Sequence, residues 1–141
     1  MVFSHDGLRD SLTYLAAPPY FYENLRRELT YSQRNKSRLS LIRFQLSPQI
    51  PEDDSLYEAA ILSFSELLKG EIRSEDLCAR LGRFEFTMVL KVSNGVAISI
   101  AERILSQWHA GEFNCRAYVV SAHAGESSLE ILNRLDTTTA L

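Results

Sequence analysis

The chain has 141 residues, of which 45% are hydrophobic and 23% are charged, values typical of one globular domain with its own core. Its formal net charge of −3 gives no general attraction for nucleic acid or for an anionic membrane. No apolar run is long enough to span a bilayer, and the start of the chain lacks a signal-peptide pattern. Cys78 and Cys115 show no metal-ligand spacing. We therefore expect residues 1–141 to form a single cytoplasmic domain with reduced thiols.

The first helix is predicted to begin at Pro18-Pro19, because proline is tolerated in the first turn, and to continue to Lys36. Its apolar residues recur at helical spacing: Phe21, Leu25 and Leu29. The segment LSLIRFQL, residues 39–46, is short and mostly apolar, which predicts a buried strand.

After the loop SPQIPEDD, Asp54 or Ser55 is expected to cap a second helix that ends at Gly70. The predicted buried face of this helix consists of Leu56, Ala60, Phe64 and Leu67. Two strands, LCARLG and FEFTMVLKV, follow and are predicted to form a hairpin with its turn at Gly82-Arg83.

Ser93 or Asn94 is expected to cap a third helix, which Gly111 would terminate. Its apolar positions are Ala97, Ile100, Ala101, Ile104 and Trp108. A fourth strand is predicted at CRAYVVSAH, residues 115–123. A last helix, opened by Ser127 or Ser128, has Leu129, Leu132 and Leu135 on one face. The pattern is still helical at Leu141, and on this ground we expect that the chain belongs to a longer parent protein.

The predicted order after the first helix is β-α-β-β-α-β, followed by a helix. This order is typical of a ferredoxin-like α+β fold, in which helices pack on an antiparallel sheet. The extra helices stand at the N-terminal and C-terminal ends of that core.

Several segments, in this order, resemble the motifs of the GGDEF family, the diguanylate cyclases that make cyclic di-GMP. They are DSLTYLAAPPYF at residues 10–21, LSLIRFQLS at 39–47, RSEDLCARLGRFEF at 73–86, AERIL at 101–105 and RLDTTTAL at 134–141. The resemblance covers nearly the whole chain and supports the same fold.

The departures from the family pattern bear on activity. The resemblance places Gln45 and Phe84 where the family has carboxylate ligands for Mg²⁺, and neither side chain can replace an anionic ligand. Arg83 replaces the second signature glycine, and the loop before Leu56 is short and lacks the asparagine that reads guanine. We therefore expect no catalytic residue, no bound metal and no cofactor.

The signature loop, Gly82, Arg83, Phe84, Glu85 and Phe86, is thus degenerate. Glu85 stands at the fourth signature position. It can be the remnant of a catalytic loop or simply the polar residue of an alternating strand, and the alternation favours the second interpretation.

The R-x-x-D motif, five residues before the signature, is present as Arg73 and Asp76. In the family this motif forms an inhibitory site for cyclic di-GMP, and inactive members often keep it and act as receptors. Arginine can bind phosphate or a guanine edge, and aspartate can accept from guanine N–H groups. An exposed Arg–Asp pair with no ligand is the alternative. Leu105 stands where the family often has a further arginine, with Arg103 two residues earlier.

Three functions follow from this pattern. The first is an inactive GGDEF signalling domain that binds cyclic di-GMP through Arg73 and Asp76. The second is a ligand-free module for dimerisation or for contact with another signalling protein. An active cyclase is the least favoured.

The first helix and the residues directly after it are rich in basic residues, namely Arg26, Arg27, Arg34, Lys36 and Arg38. They form either a solvated face or a contact for an acidic partner or a phosphate.

Overall fold

A four-stranded antiparallel sheet with helices on both faces forms the domain, in a computed structural model that describes residues 3–109 and 111–141. The elements are α1 Pro18–Asn35, β1 Ser40–Pro48, α2 Asp54–Lys69, β2 Leu77–Gly82, β3 Glu85–Leu90, α3 Asn94–Gln107, β4 Phe113–Ser121 and α4 Ser128–Thr137. The strand order is β2-β3-β1-β4. The predicted α+β architecture is therefore confirmed.

Alternation along β1 divides the core into two layers. Ile42 and Phe44 point to one side of the sheet, where α2 and α3 pack, and Leu41 points to the other, where α1 and α4 pack. Phe21, Leu25 and Leu29 of α1 are buried as the helical spacing predicted. Within the described part of the chain, no helix is long and apolar enough to cross a membrane.

Two helices bury a face that is only partly the one expected: Ala60 and Phe64 of α2 and Leu135 of α4 are buried as predicted. Leu56 of α2 is 52% exposed and Leu129 of α4 is 70% exposed, although both were predicted to lie in the core. Tyr57 and Ile131 are buried instead. Asp53, rather than Asp54 or Ser55, caps α2, because its Oδ1 accepts from the backbone N–H of Leu56 at 3.0 Å.

Several predicted boundaries are also wrong. Gly82 pairs with Glu85 after an irregularity in the β2–β3 ladder, so the hairpin turn is Arg83–Phe84 instead of Gly82-Arg83. β4 begins at Phe113, two residues before the predicted start at Cys115. α3 ends at Gln107 and does not extend to Gly111. α4 ends at Thr137 and does not continue to Leu141, because consecutive β-branched threonines are poor helix formers.

A buried ion pair joins the segment before α1 to the hairpin. Asp10 and Arg80 are both 0% exposed, and Arg80 Nη1 lies 3.0 Å and 3.1 Å from the two carboxylate oxygens of Asp10. Asp10 also accepts from the N–H and hydroxyl of Thr13, at 2.8 Å and 2.7 Å. Arg80 Nη2 donates to the carbonyl of Arg83 at 2.9 Å. Each charge is therefore paired and hydrogen-bonded, as burial requires.

The replacement Asp10→Asn should lower the free energy of unfolding by about 3–5 kcal/mol, because it leaves the buried Arg80 cation unpaired. Glu23→Gln, which breaks the exposed pair with Arg26, should cost at most about 1 kcal/mol. Urea denaturation of both variants measures the difference. Equal, small effects would show that the buried pair does not stabilise the hairpin.

A second ion pair, between Glu126 and Arg134, should make the stability of the protein depend on pH. Glu126 accepts a hydrogen bond from Arg134 Nε at 2.6 Å and another from the backbone N–H of His123 at 2.9 Å. The hydrogen bonds from Arg134, and to a smaller extent the one from His123, lower the pKa of Glu126 below its ordinary 4.5. The pair therefore contributes its full stability above pH 4.5, and this is lost as the pH falls through the lowered folded pKa.

We expect Glu126→Gln to be less stable than the wild type at neutral pH and to lose less stability on acidification below pH 4.5. Glu102→Gln is the control, because Glu102 is exposed and makes no ion pair or hydrogen bond within the described residues. The measurement is the free energy of unfolding as a function of pH. Parallel curves for Glu126→Gln and the wild type would contradict this assignment.

Candidate functional site

The signature loop and the end of β1 enclose a shallow cleft of about 390 Å³, here called the hairpin cleft. Its lining is formed by Gln45, Leu46, Ser47, Gly82, Arg83, Phe84 and Glu85. The turn is held against β1 because the Leu46 N–H donates to the Phe84 carbonyl at 2.9 Å. The structure thus brings together the signature loop and the β1 positions that sequence analysis placed at the metal site.

Phe84 belongs to an aromatic cluster beside the cleft. Its ring centroid lies 5.4 Å from that of Tyr57 and 6.5 Å from that of Phe113, with edge-to-face and tilted geometry. Gln45 and Ser47 contribute only neutral groups on the β1 side. Within residues 3–109 and 111–141, no group of three or more His, Cys, Asp or Glu side chains is placed to hold a metal ion.

Arg83 connects the signature turn to the start of α2. Its Nη1 lies 2.8 Å from Glu52 Oε1, and its Nη2 lies 3.7 Å from Asp54 Oδ1. The guanidinium also stacks over Tyr57 and Phe84, at 5.1 Å and 5.3 Å from the ring centroids. Two carboxylates and two rings thus hold this side chain, which lines the hairpin cleft where a glycine would have no side chain.

Glu85 begins β3 and faces the α1/α4 side of the sheet, directly opposite Gln45. Its carboxylate lies 3.8 Å from Arg43 Nε, and Arg43 Nη1 lies 2.6 Å from Asp136 of α4. Glu85 is partly exposed, while Phe86 is fully buried on the other face. The carboxylate of Glu85 is therefore next to a protein cation.

The R-x-x-D residues form a tight turn between α2 and β2. Asp76 Oδ2 accepts from the Arg73 N–H at 2.9 Å, and the Asp76 N–H donates to the Arg73 carbonyl at 3.0 Å. The Arg73 side chain is exposed and makes no hydrogen bond, ion pair or ring contact with a described residue. One oxygen of Asp76 and the whole guanidinium of Arg73 therefore remain available to a ligand.

Arg103 of α3, two residues before Leu105, reaches this loop. Arg103 Nη2 lies 2.6 Å from Glu71, two residues before Arg73, and this contact raises the pKa of Arg103. Leu105 packs against the core instead. A cation is thus present near the R-x-x-D turn, but Glu71 already neutralises it.

Sequence analysis missed the partners of the signature residues. Arg83 contacts Glu52 and Tyr57, and Phe84 contacts Phe113. These partners lie in other segments of the chain. Asp10 lies in the segment DSLTYLAAPPYF and Arg80 lies in RSEDLCARLGRFEF. Charged side chains are almost never fully buried unless they are paired, and this is the one signal that could have suggested their pairing.

Comparison with known proteins places this geometry in a family. No protein-family model matches the chain. The chain is 31% identical over 114 residues to the diguanylate cyclase TpbB of Pseudomonas aeruginosa, an alignment that covers 76% of the chain but only 26% of that relative. The chain therefore spans about a quarter of the length of the curated relatives it matches.

Solved structures show the same fold. A microbial GGDEF domain, described for its interaction with cyclic di-GMP, superposes with a TM-score of 0.83 at 21% identity, over 92% of this chain and 85% of that one. The diguanylate cyclase SiaD of Pseudomonas aeruginosa, in complex with its activator SiaC, gives 0.80 at 24% identity, over 92% and 55%. The architecture is that of GGDEF domains. Together, the sequence and structure neighbours identify the chain as a GGDEF domain.

Phe84→Asp, which introduces a carboxylate at the third signature position, should destabilise the protein more than Phe84→Ala. Truncation of the half-buried ring should cost about 2 kcal/mol, and a carboxylate among Tyr57 and Phe113 adds a desolvation penalty. Phe84→Leu is the control that keeps an apolar side chain. Urea denaturation checks the order; a Phe84→Asp variant as stable as the wild type would show that the cleft still accommodates a carboxylate.

Proposed function

We propose that the domain is a catalytically inactive GGDEF domain. The observation that carries this proposal is the position of Phe84, whose ring packs against Tyr57 and Phe113 where a metal ligand would be needed. Transfer of a nucleotidyl group from a triphosphate depends on Mg²⁺ to neutralise charge on the phosphates, and Mg²⁺ prefers oxygen ligands such as carboxylates.

The neighbouring residues support the same proposal. Gln45 offers an amide, which carries no charge to balance Mg²⁺. The Arg83 side chain spans the space between the turn and α2, and its ion pair with Glu52 would have to break before a nucleotide could approach the backbone there. The one signature carboxylate, Glu85, lies near Arg43.

We further propose that the R-x-x-D turn makes the domain a receptor for cyclic di-GMP. Arg73 presents an unpaired guanidinium, which can donate two parallel hydrogen bonds to phosphate or to a guanine edge. Asp76 is held in place by the turn and keeps one oxygen to accept from guanine N–H groups. The site is accessible because Arg73 is exposed and Asp76 is only half-buried.

A ligand-free interaction module is the second candidate, and the Arg103–Glu71 pair favours it. In this pair Glu71 lies 2.6 Å from Arg103 and neutralises it, so that Arg73 would bind a doubly charged ligand without Arg103 as a second free arginine. In that case the domain would act through contact with another copy or another signalling protein.

The test is calorimetric titration of cyclic di-GMP into the protein and its variants, with GTP plus Mg²⁺ as a parallel injection. We expect Arg73→Ala to weaken binding by roughly 10- to 150-fold, because a hydrogen bond to a charged group contributes about 1.5–3 kcal/mol. Arg116→Ala is the matched control, since Arg116 is another exposed arginine without a side-chain partner in the described chain.

Each outcome decides between the candidates. Binding that persists in Arg73→Ala would place the ligand elsewhere. If the wild type binds neither nucleotide, the result would favour the ligand-free interaction module. Metal-dependent turnover of GTP would overturn the proposal of inactivity, whichever ligand binds.

A further inference from the structure

The exposed face of α1 concentrates the unpaired positive charge of the protein. Most arginine and lysine side chains pair with a carboxylate or stack on a ring. Those that make no such contact, and no side-chain hydrogen bond, within the described residues are Arg27, Arg34, Lys36, Arg38, Arg73 and Arg116. The first four lie in α1 and directly after it, although the whole chain carries a net charge of −3.

Local acidic residues do not balance this charge. The only carboxylates of α1 are Glu23, which pairs with Arg26 at 2.6 Å, and Glu28, which pairs with Lys91 at 3.4 Å. Each of them therefore neutralises a further cation rather than Arg27 or Arg34. The surface keeps a positive potential that extends into solvent and attracts anions.

The geometry of α1 gathers the charges on one side. Arg27, Tyr31 and Arg34 lie opposite the buried stripe of the helix, because residues three and four apart share a face. Together with Arg26 and Thr30 they line a depression of about 200 Å³. Tyr31 is 55% exposed. We call the set Arg27, Tyr31 and Arg34 the α1 basic face.

A groove runs beside the α1 basic face, between α1 and the start of α4. It measures about 460 Å³, and its walls include Arg26 and Thr30, which also line the depression on α1. Leu129 of α4 lines this groove and is 70% exposed. The basic face is therefore continuous with an apolar contact point.

We propose that the α1 basic face and this groove bind an acidic polypeptide segment. Carboxylates of the segment would pair with Arg27 and Arg34, which are seven residues and about 10.5 Å apart along the helix, while an apolar side chain contacts Leu129. Arginine and tyrosine are among the side chains enriched where protein interfaces concentrate their binding energy.

Two other anionic partners fit less well. Duplex DNA presents charge over a length greater than this patch, and the remaining surface of the protein is acidic overall. Binding in the plane of a membrane needs large apolar residues on the exposed helix face, and the outer face of α1 offers only tyrosines among its apolar side chains.

The test uses isotope-labelled protein and a synthetic peptide of alternating glutamate and leucine. Amide shifts in α1 and in residues 127–129 are the expected result, and Arg27→Glu/Arg34→Glu should reduce the affinity at least about tenfold, since each lost charge-assisted contact contributes about that factor. Arg116→Glu is the matched control because it reverses an exposed, unpaired charge on β4. The peptide with glutamine in place of glutamate should not bind.

Three results would overturn the proposal: no binding of the acidic peptide, binding that survives the double reversal, or equal loss in Arg116→Glu. Binding of phosphatidylserine vesicles or of a DNA duplex in place of the peptide would show that the partner is of another class. Cyclic di-GMP titration of the double variant separates this surface from the R-x-x-D turn, because the variant leaves Arg73 and Asp76 unchanged.

Discussion

The buried pair of Asp10 and Arg80 is the constraint on which the arrangement of the site depends. Arg80 is both the partner of Asp10 and the donor to the carbonyl of Arg83, so one guanidinium fixes the N-terminal segment and the signature turn together. A cation without water around it must keep all these partners, since a lost one costs several kcal/mol. The hairpin therefore keeps its position whether or not the loop that it carries binds a ligand.

This constraint explains how the loop can change while the fold does not. Acidic ligands clustered in a cleft repel one another unless a metal ion neutralises them. At positions 45 and 84 the cleft has an amide and a ring, which carry no such penalty, and the ring gains contact with Tyr57 and Phe113. Arg83 and Glu85 are charged residues, and each lies near a residue of opposite charge. The residues of the signature thus pack against the domain itself.

Sequence patterns predicted the order of elements and the helix caps better than they predicted side-chain contacts. The serine caps at Ser93 and Ser127 follow from local hydrogen bonding, and both are present. The buried faces of α2 and α4 were predicted less accurately, since an apolar residue such as Leu56 or Leu129 satisfies a helical period without being buried. The contact of Arg83 with Glu52 joins residues 31 positions apart, which no local pattern encodes.

The R-x-x-D turn and the α1 basic face are connected through one hydrogen-bonded element. The turn leads directly into β2, β2 pairs with Ala16, and α1 begins two residues later. Coupling between two sites requires that such an element have two arrangements whose balance both ligands change. Ala16 is held by hydrogen bonds to Cys78 and Arg80, and the same segment is fixed by the buried Asp10–Arg80 pair. A connection of this stability favours a single arrangement, so we expect no coupling between the two proposed surfaces.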